Sequence, residues 1–264
     1  MVTRPRLTIV SFNLNGIRAA ERRGFLSFLA QLRPDVLCVQ ETRIDRAALT
    51  PELERPLGYE ASWAFPVRKG YSGVATFSRE KPERTHSALG EARFDDEGRV
   101  VVSEFASFLL CNVYFPKGSG TLRDNSRVPY KLAFYDALFA HVSALKKKRK
   151  KPLIVLGDFN TAHMPIDLKN WRTNQGTSGF LPEERLSFER HLEQGFVDTF
   201  RALHPTREQY SWWSQRLGAR DRNVGWRIDY VWVSSELMPQ VKEAFIWDHV
   251  RASDHCPVGI ELEL

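Results

Sequence analysis

The chain has 264 residues, 42% of them hydrophobic and seven of them tryptophan, a composition that fits a packed globular enzyme and excludes a disordered polymer. Lys and Arg outnumber Asp and Glu by 38 to 32, giving a formal charge of +6 and a pI near 9.3, which suits a polyanionic partner without requiring one. Three cysteines (Cys38, Cys111 and Cys256) lack CxxC spacing, which excludes a disulfide framework and favours a reducing compartment, and no apolar run approaches the ~18 residues of a membrane span.

The first residues read straight into a strand, with no signal-like apolar segment before it. Strands are expected at residues 7–12, 36–40, 73–77, 100–105, 109–114, 153–159, 228–233 and 258–262, and helices at 24–32, 130–147 and 183–194. The first strand runs into Ser11-Phe12-Asn13-Leu14-Asn15-Gly16, and the second ends at Val39-Gln40-Glu41-Thr42. Hairpin-like neighbours such as 100–105 and 109–114 imply antiparallel pairs inside an α/β chain, hence mixed sheets. Leu132, Tyr135, Leu138, Phe139 and Val142 repeat at helical spacing and should face a sheet.

That helix ends in Lys146-Lys147-Lys148-Arg149-Lys150-Lys151, where cations complement exposed carbonyls. The strand that follows delivers Asp158 at its far end, on the order of 20 Å away, so the basic run should lie on the opposite face. Asp158 sits in Gly157-Asp158-Phe159-Asn160, and the last strand is preceded by Ser253-Asp254-His255. No linker or repeat divides the chain, and one domain over 1–264 is expected.

Acids beside amides at strand ends are the parts that metal-assisted phosphodiester cleavage needs. Oxygens hold a hard cation, a base takes the proton from water, and a polar group aligns that water. Asp229 beside His255 would form an orienting pair, the carboxylate fixing the imidazole tautomer and favouring its charged form. Either Asp158 or His255 could then serve as general base.

Taken in order, further segments join these: Gly70-Tyr71-Ser72-Gly73-Val74-Ala75, Val113-Tyr114-Phe115-Pro116, Asn160-Thr161-Ala162-His163, Asn223-Val224-Gly225-Trp226-Arg227-Ile228-Asp229-Tyr230 and Ser253-Asp254-His255-Cys256-Pro257. Together they resemble the exonuclease III family of apurinic/apyrimidinic endonucleases, within the endonuclease/exonuclease/phosphatase superfamily. The resemblance implies a four-layered α/β sandwich of the DNase I-like kind, two mixed β-sheets packed face to face with helices outside. It implies Mg²⁺, replaceable by Mn²⁺, on Glu41, with Asn13, Asp254, Asp158 and Asn160 as further oxygen donors. Asp158 and Asn160 would align the attacking water, and Tyr114 would contact the phosphate.

By the same resemblance, Trp212, Trp226 and Ile228 wall a pocket for a flipped abasic sugar, and Arg216 fills the gap left in the duplex. Asn15, Asn170, Tyr71 and Lys117 are implied substrate contacts, with Arg18, Arg22, Lys69, Arg220 and Arg222 as further phosphate candidates. The loop over 114–130 adds Arg123 and Arg127, whereas His163 reads as structural or as a support behind the catalytic residues. The implied activity is a class II incision 5′ to abasic sites, leaving a 3′-hydroxyl in base excision repair. Exonuclease (3′→5′) and 3′-phosphatase activities, and incision at deaminated or damaged bases, would accompany it. The implied partner is lesion-bearing double-stranded DNA, met by a monomer with no obligate protein partner and no membrane. The compartment would be cytoplasmic, at the nucleoid in a prokaryote, or nuclear in a eukaryote. A phosphodiesterase of lipids or inositol phosphates would share the Glu and Asp-His elements but not the tryptophan segment. A DNA-binding protein without catalysis would not need a competent residue at every catalytic position.

Overall fold

In the computed structural model, which describes residues 6–122 and 124–264, period-two alternation within the strands decides the architecture. Arg123 and the run before residue 6 lie outside the described residues. In chain order the strands are β1 (Arg6–Asn13), β2 (Val36–Gln40), β3 (Glu60–Ala64), β4 (Val74–Ser78), β5 (Arg84–His86), β6 (Val100–Glu104) and β7 (Leu109–Tyr114). They continue with β8 (Leu153–Asp158), β9 (Phe196–Asp198), β10 (Trp212–Trp213), β11 (Gly225–Trp226), β12 (Asp229–Ser234), β13 (Val241–Ile246) and β14 (Val258–Glu263). The α-helices are α1 (Ile17–Arg22), α2 (Phe25–Leu32), α3 (Pro51–Glu54), α4 (Ala92–Asp95), α5 (Val128–Arg149), α6 (Pro182–Leu192) and α7 (Thr199–Leu203).

One six-stranded sheet runs β13-β14-β1-β2-β4-β3 and the other β5-β6-β7-β8-β12-β9. Each has a parallel pair at its centre, β1 with β2 and β7 with β8, flanked by antiparallel strands. Four strand ends of one polarity are thereby brought to one rim, carrying Asn13, Gln40-Glu41, Tyr114 and Asp158. The expected mixed, two-sheet architecture is present.

The same alternation sorts the faces. Ile9, Cys38, Leu110, Ile154, Leu156, Val231 and Ile260 pack between the sheets. Val10, Phe12, Leu37 and Val39 point the other way, against Ile17, Phe25 and Leu29 of α1 and α2. Leu109, Cys111, Val113 and Val155 point out against Tyr135, Leu138, Phe139 and Val142 of α5. Toward the rim the inter-sheet face turns polar: Gln40 Nε2 donates to Asn112 Oδ1 (2.8 Å) and Ser11 Oγ (3.0 Å), and Asn112 Nδ2 donates to the Ala75 carbonyl (2.9 Å). An apolar core thus grades into a hydrogen-bonded layer, and that layer into the site.

Gly157 makes the last step possible. Its φ of 143° and its neighbour strand leave no room for a side chain, since a Cβ would lie 1.8 Å from the Val113 carbonyl oxygen. The strand can therefore stay paired with β7 through Gly157 up to Asp158.

Several expectations are adjusted. The central helix spans Val128–Arg149, and Lys131 and Phe134 are buried on it while Leu132 is only half-buried. The strands β3, β5, β9, β10, β11 and β13 were not expected; β3 and β5 are edges whose residues, Ala64 apart, are exposed or half-buried, so no apolar alternation marks them. The basic run does end α5 at the base of β8, away from Asp158. Lys146 pairs with Glu236 (2.8 Å), Arg149 with Glu104 (3.1 Å) and Lys151 with Glu83 (2.8 Å). All three cysteines are buried and free.

Candidate active site

Asn13 closes β1 and reaches across the gap between the sheets. Its Nδ2 donates to Asp158 Oδ2 (2.8 Å) on the facing sheet and to Glu41 Oε1 (3.0 Å) on its own. Asp158 leaves β8, and its Oδ1 accepts the backbone N–H of Asn160 (2.8 Å). Asn160 turns there with φ 50°, donating its Nδ2 to the Phe115 carbonyl (2.8 Å) and to Asp158 Oδ2 (3.3 Å). Asp229 begins β12 in register with Asp158. It accepts His255 Nδ1 on Oδ2 (2.9 Å), which leaves Nε2 facing Asp158 Oδ2 at 3.9 Å. Six of the expected residues, from the ends of four strands and the segment before β14, are thereby one buried cluster.

The charges of this cluster shape one another. Burial works against an ionised Glu41, but Lys117 (Nζ 3.9 Å from Oε1), Arg43 and the Asn13 amide outweigh it and hold the pKa at about 2. Arg43 grips Glu41 Oε2 through Nε (3.0 Å) and Nη2. Asp158 is pushed up from the carboxylate range by burial first and then by Asp229 and Glu41, with His255 and Lys117 opposing only in part. Burial alone would lower the His255 pKa; the Asp229 carboxylate, with Asp158 and Asp254 behind it, raises it instead. The imidazole is thus held in its charged form. Tyr114 ends β7 beneath Arg99, whose guanidinium lies 4.6 Å over the ring, and burial and Glu41 push its phenol well up.

Donor atoms of Glu41, Asp158 and His255 lie within 4.8 Å of one another, all buried. Carboxylate oxygens dominate the surroundings; the Asn13 and Asn160 amides turn Nδ2 toward them, Asn13 Oδ1, expected as an oxygen donor to a metal, instead accepts the Asn15 N–H (2.9 Å), and the nearby Cys256 thiol is engaged by the Tyr210 carbonyl (3.8 Å). That donor chemistry fits a hard divalent cation. Asp254 stands to one side: Asn15 Nδ2 (2.8 Å) and Ser253 Oγ (3.2 Å) donate to its Oδ1 and Trp212 Nε1 (3.2 Å) to its Oδ2. Burial opposes its ionisation, but His255, Asn15 and Trp212 lower its pKa.

A cavity of about 230 Å³ opens beside the cluster, lined by Trp212, Trp226, Ile228, Lys117, Asn160, His255 and residues 177–179. Trp212 and Trp226 meet edge to face with centroids 6.5 Å apart. A second cleft holds Glu41, Arg43, Tyr71, Tyr114, Lys117 and Arg127. Tyr71 Oη there accepts Arg99 Nη2 (2.8 Å) and Arg127 Nη1 (3.3 Å).

Other expected contacts lie apart. Asn170 is exposed on a separate groove with Trp171 and Arg172, and Arg216 is exposed on a turn whose Leu217 is 88% exposed. Arg220, expected on phosphate, instead donates to the carbonyls of Ser253 (2.8 Å), Asp248 (2.9 Å) and Val250 (2.6 Å). His163 pairs with Glu189 (2.5 Å) and stacks on Phe188.

Sequence reasoning missed Ser211, Arg43 and Arg99. Ser211 Oγ donates to Asp229 Oδ2 (2.6 Å) and accepts the N–H groups of Ile228 and Asp229 (3.1 Å each). Nothing local marks that serine. Arg43, two residues after Glu41, was legible as a charge of opposite sign beside a candidate ligand.

Residues 10–255 match the model of the Endonuclease/Exonuclease/phosphatase family. The exodeoxyribonuclease of Bacillus subtilis (strain 168) is 42% identical over 98% of this chain and 100% of its own length. The DNA-(apurinic or apyrimidinic site) endonuclease of Dictyostelium discoideum is 38% identical over 98% of this chain and 71% of its own. In three dimensions the chain is similar to AP endonuclease LMAP from Leishmania major (TM-score 0.89, 30% identity, 98% of this chain and 88% of that one). It is equally similar to the 3′-5′ exonuclease NExo from Neisseria meningitidis (TM-score 0.89, 28% identity, 98% of this chain and 100% of that one). With the shared two-sheet fold and the buried acid–histidine cluster at its rim, the chain belongs to the endonuclease/exonuclease/phosphatase family, on its branch of exodeoxyribonucleases and apurinic/apyrimidinic endonucleases.

Proposed function

We propose that the protein is a Mg²⁺-dependent class II apurinic/apyrimidinic endonuclease, a single catalytic domain acting as a monomer on lesion-bearing duplex DNA. The observation that carries this reading is the 230 Å³ tryptophan-walled cavity that opens directly onto His255 and Asn160. A baseless deoxyribose fits such a slot, whereas an intact nucleotide meets Trp212 and Trp226, so selection falls on the extruded sugar.

In this reading Asn160 and Asp158 align water against phosphorus, and Asp158, its proton affinity raised by burial and by Asp229, accepts the proton. His255, held charged by Asp229 Oδ2 at 2.9 Å, donates its Nε2–H to a nonbridging oxygen. Tyr114 and Lys117 line the phosphate side of the cleft. Glu41 would hold Mg²⁺, with Asp254, Asp158 and Asn160 alongside and the Asn13 amide orienting the Glu41 and Asp158 carboxylates; when bound it supplies charge neutralisation at the phosphate and at the departing 3′-oxygen. The same placement serves 3′-phosphatase and 3′→5′ exonuclease reactions, and Mn²⁺ meets the same oxygen donors.

Selectivity tests the reading. Cleavage is compared on a duplex with one tetrahydrofuran abasic analogue and on the same duplex with an intact nucleotide there. The abasic duplex should be cut far faster, and Trp226→Ala should narrow the ratio by roughly tenfold or more. Equal rates on both duplexes in the wild type would remove the sugar pocket from the account.

A further inference from the structure

On helix α5, Lys131 falls in phase with Val128, Phe134, Tyr135, Leu138, Phe139 and Val142, the stripe that faces the sheet. Its side chain and that of Glu184 on α6 are both 0% exposed, and Lys131 Nζ donates to Glu184 Oε1 at 2.7 Å. The ammonium donates a second bond, at 2.6 Å, to the carbonyl oxygen of Asn160. Glu184 in turn accepts the N–H groups of Gly179 (2.5 Å) and Leu181 (3.2 Å) and the hydroxyl of Ser178 (3.2 Å). Ser178 and Gly179 line the cavity, and a Cβ on Gly179 would stand 3.1 Å from the Asn160 oxygen and 3.3 Å from the Trp226 ring. The Ala162 N–H donates to the Gly179 carbonyl (2.8 Å), closing a ring of contacts.

One buried ion pair therefore grips the backbone of the water-aligning residue with one end and the wall of the cavity with the other. A pair kept for stability alone is a poor device, because well-packed apolar residues of the same volume commonly serve as well or better. This pair does what apolar residues cannot: it satisfies a carbonyl and two N–H groups that belong to two different functional segments.

We propose that Lys131 and Glu184 are positioning residues, a buried clamp that keeps the cavity wall at residues 177–181 in register with Asn160, so that a sugar seated in the cavity places its phosphate against the aligned water. The proposal rests on the reading of the cavity as the sugar pocket. Misplacement of about 1 Å suffices to cost on the order of 10²-fold in rate.

The test uses the full chain with Lys131→Met/Glu184→Gln, in which the glutamine oxygen keeps the wall's N–H partners while the link to Asn160 is cut. On the tetrahydrofuran duplex in Mg²⁺, kcat should fall tenfold or more with Kd for the duplex unchanged within about threefold, because the phosphate contacts lie elsewhere. Lys131→Arg, which restores a buried cation, should recover most of kcat, and Glu184→Gln alone, the milder change if the double variant fails to fold, should lower it part of the way. Wild-type kcat in the double variant or in Glu184→Gln, or a Lys131→Arg variant no better than the double variant, would overturn the proposal. Amide hydrogen exchange of the free protein gives a readout independent of turnover. In wild type the segments 159–163 and 177–181 should exchange at matched, slow rates, and in the double variant 159–163 alone should exchange at least tenfold faster. Unchanged exchange would also overturn the clamp, whereas a wild-type protein that leaves the abasic duplex intact would sink the pocket reading and leave the exchange result to decide the clamp.

Discussion

Asp158 and His255 face each other across 3.9 Å, and burial pushes their proton affinities in opposite directions before their neighbours intervene. Asp158→Asn keeps the shape and the hydrogen bond to the Asn160 N–H but removes the proposed base. Turnover on an abasic duplex should fall by about 10²–10⁴ with lesion binding retained; single-turnover rates beside a binding titration check it, and equal loss of both would contradict the role. Asp229 acts through His255. Because the carboxylate raises the histidine pKa, the charged imidazole survives above the usual range near 6.5. Asp229→Asn removes the largest influence that raises it and leaves burial opposed by Asp158 and Asp254 alone, so the pKa falls and the alkaline limb of the kcat–pH profile should move to lower pH. An unmoved limb would mean that His255 is not needed in its charged form. At this scale the chemistry was legible where an acid and a second polar group share a short motif, as in Gly157-Asp158-Phe159-Asn160 or Ser253-Asp254-His255. It was not legible for Ser211, whose hydroxyl reaches Asp229 from eighteen positions away. Lys131 was legible in principle, as a lysine in phase with an apolar stripe.

At the scale of the element, the site depends on two parallel strand pairs ending at one rim, and on Gly157 allowing the last turn of β8. Gly157→Ala adds a Cβ against the Val113 carbonyl and forces a side-chain residue to φ 143°. Strain and overpacking together should cost roughly 2–6 kcal/mol, to be read from urea unfolding; a loss below about 1 kcal/mol would show that the strands can part there without penalty. Strands with apolar alternation or continuous burial, such as β1, β7 and β8, and the long helix α5 were readable from periodicity. The edge strand β3 and the three-residue β5 and β9 were not, because their register is set by neighbours rather than by their own pattern. Sheet order was equally out of reach, since pairings such as β1 with β14 join opposite ends of the chain.

The whole molecule sets a cationic rim of Arg43, Lys117 and Arg127, with Arg99 buried behind it, around an anionic, buried centre. Among the described residues no helix is long and apolar enough to cross a membrane. In the proposed function, phosphates are drawn to that rim and the pocket beside it selects the lesion. The family resemblance made this arrangement legible because its motifs run from Asn13 to His255, whereas the clamp beneath Asn160 lies on helices that carry none of them. The most direct test is cleavage of a duplex carrying one tetrahydrofuran abasic analogue, with Mg²⁺ and with EDTA. The analogue cannot undergo β-elimination, so a cut requires phosphodiester hydrolysis. A single metal-dependent cut immediately 5′ to the analogue, leaving an extendable 3′-hydroxyl, is the expected result; a duplex left intact at high enzyme concentration in Mg²⁺, or cut equally well in EDTA, would contradict it.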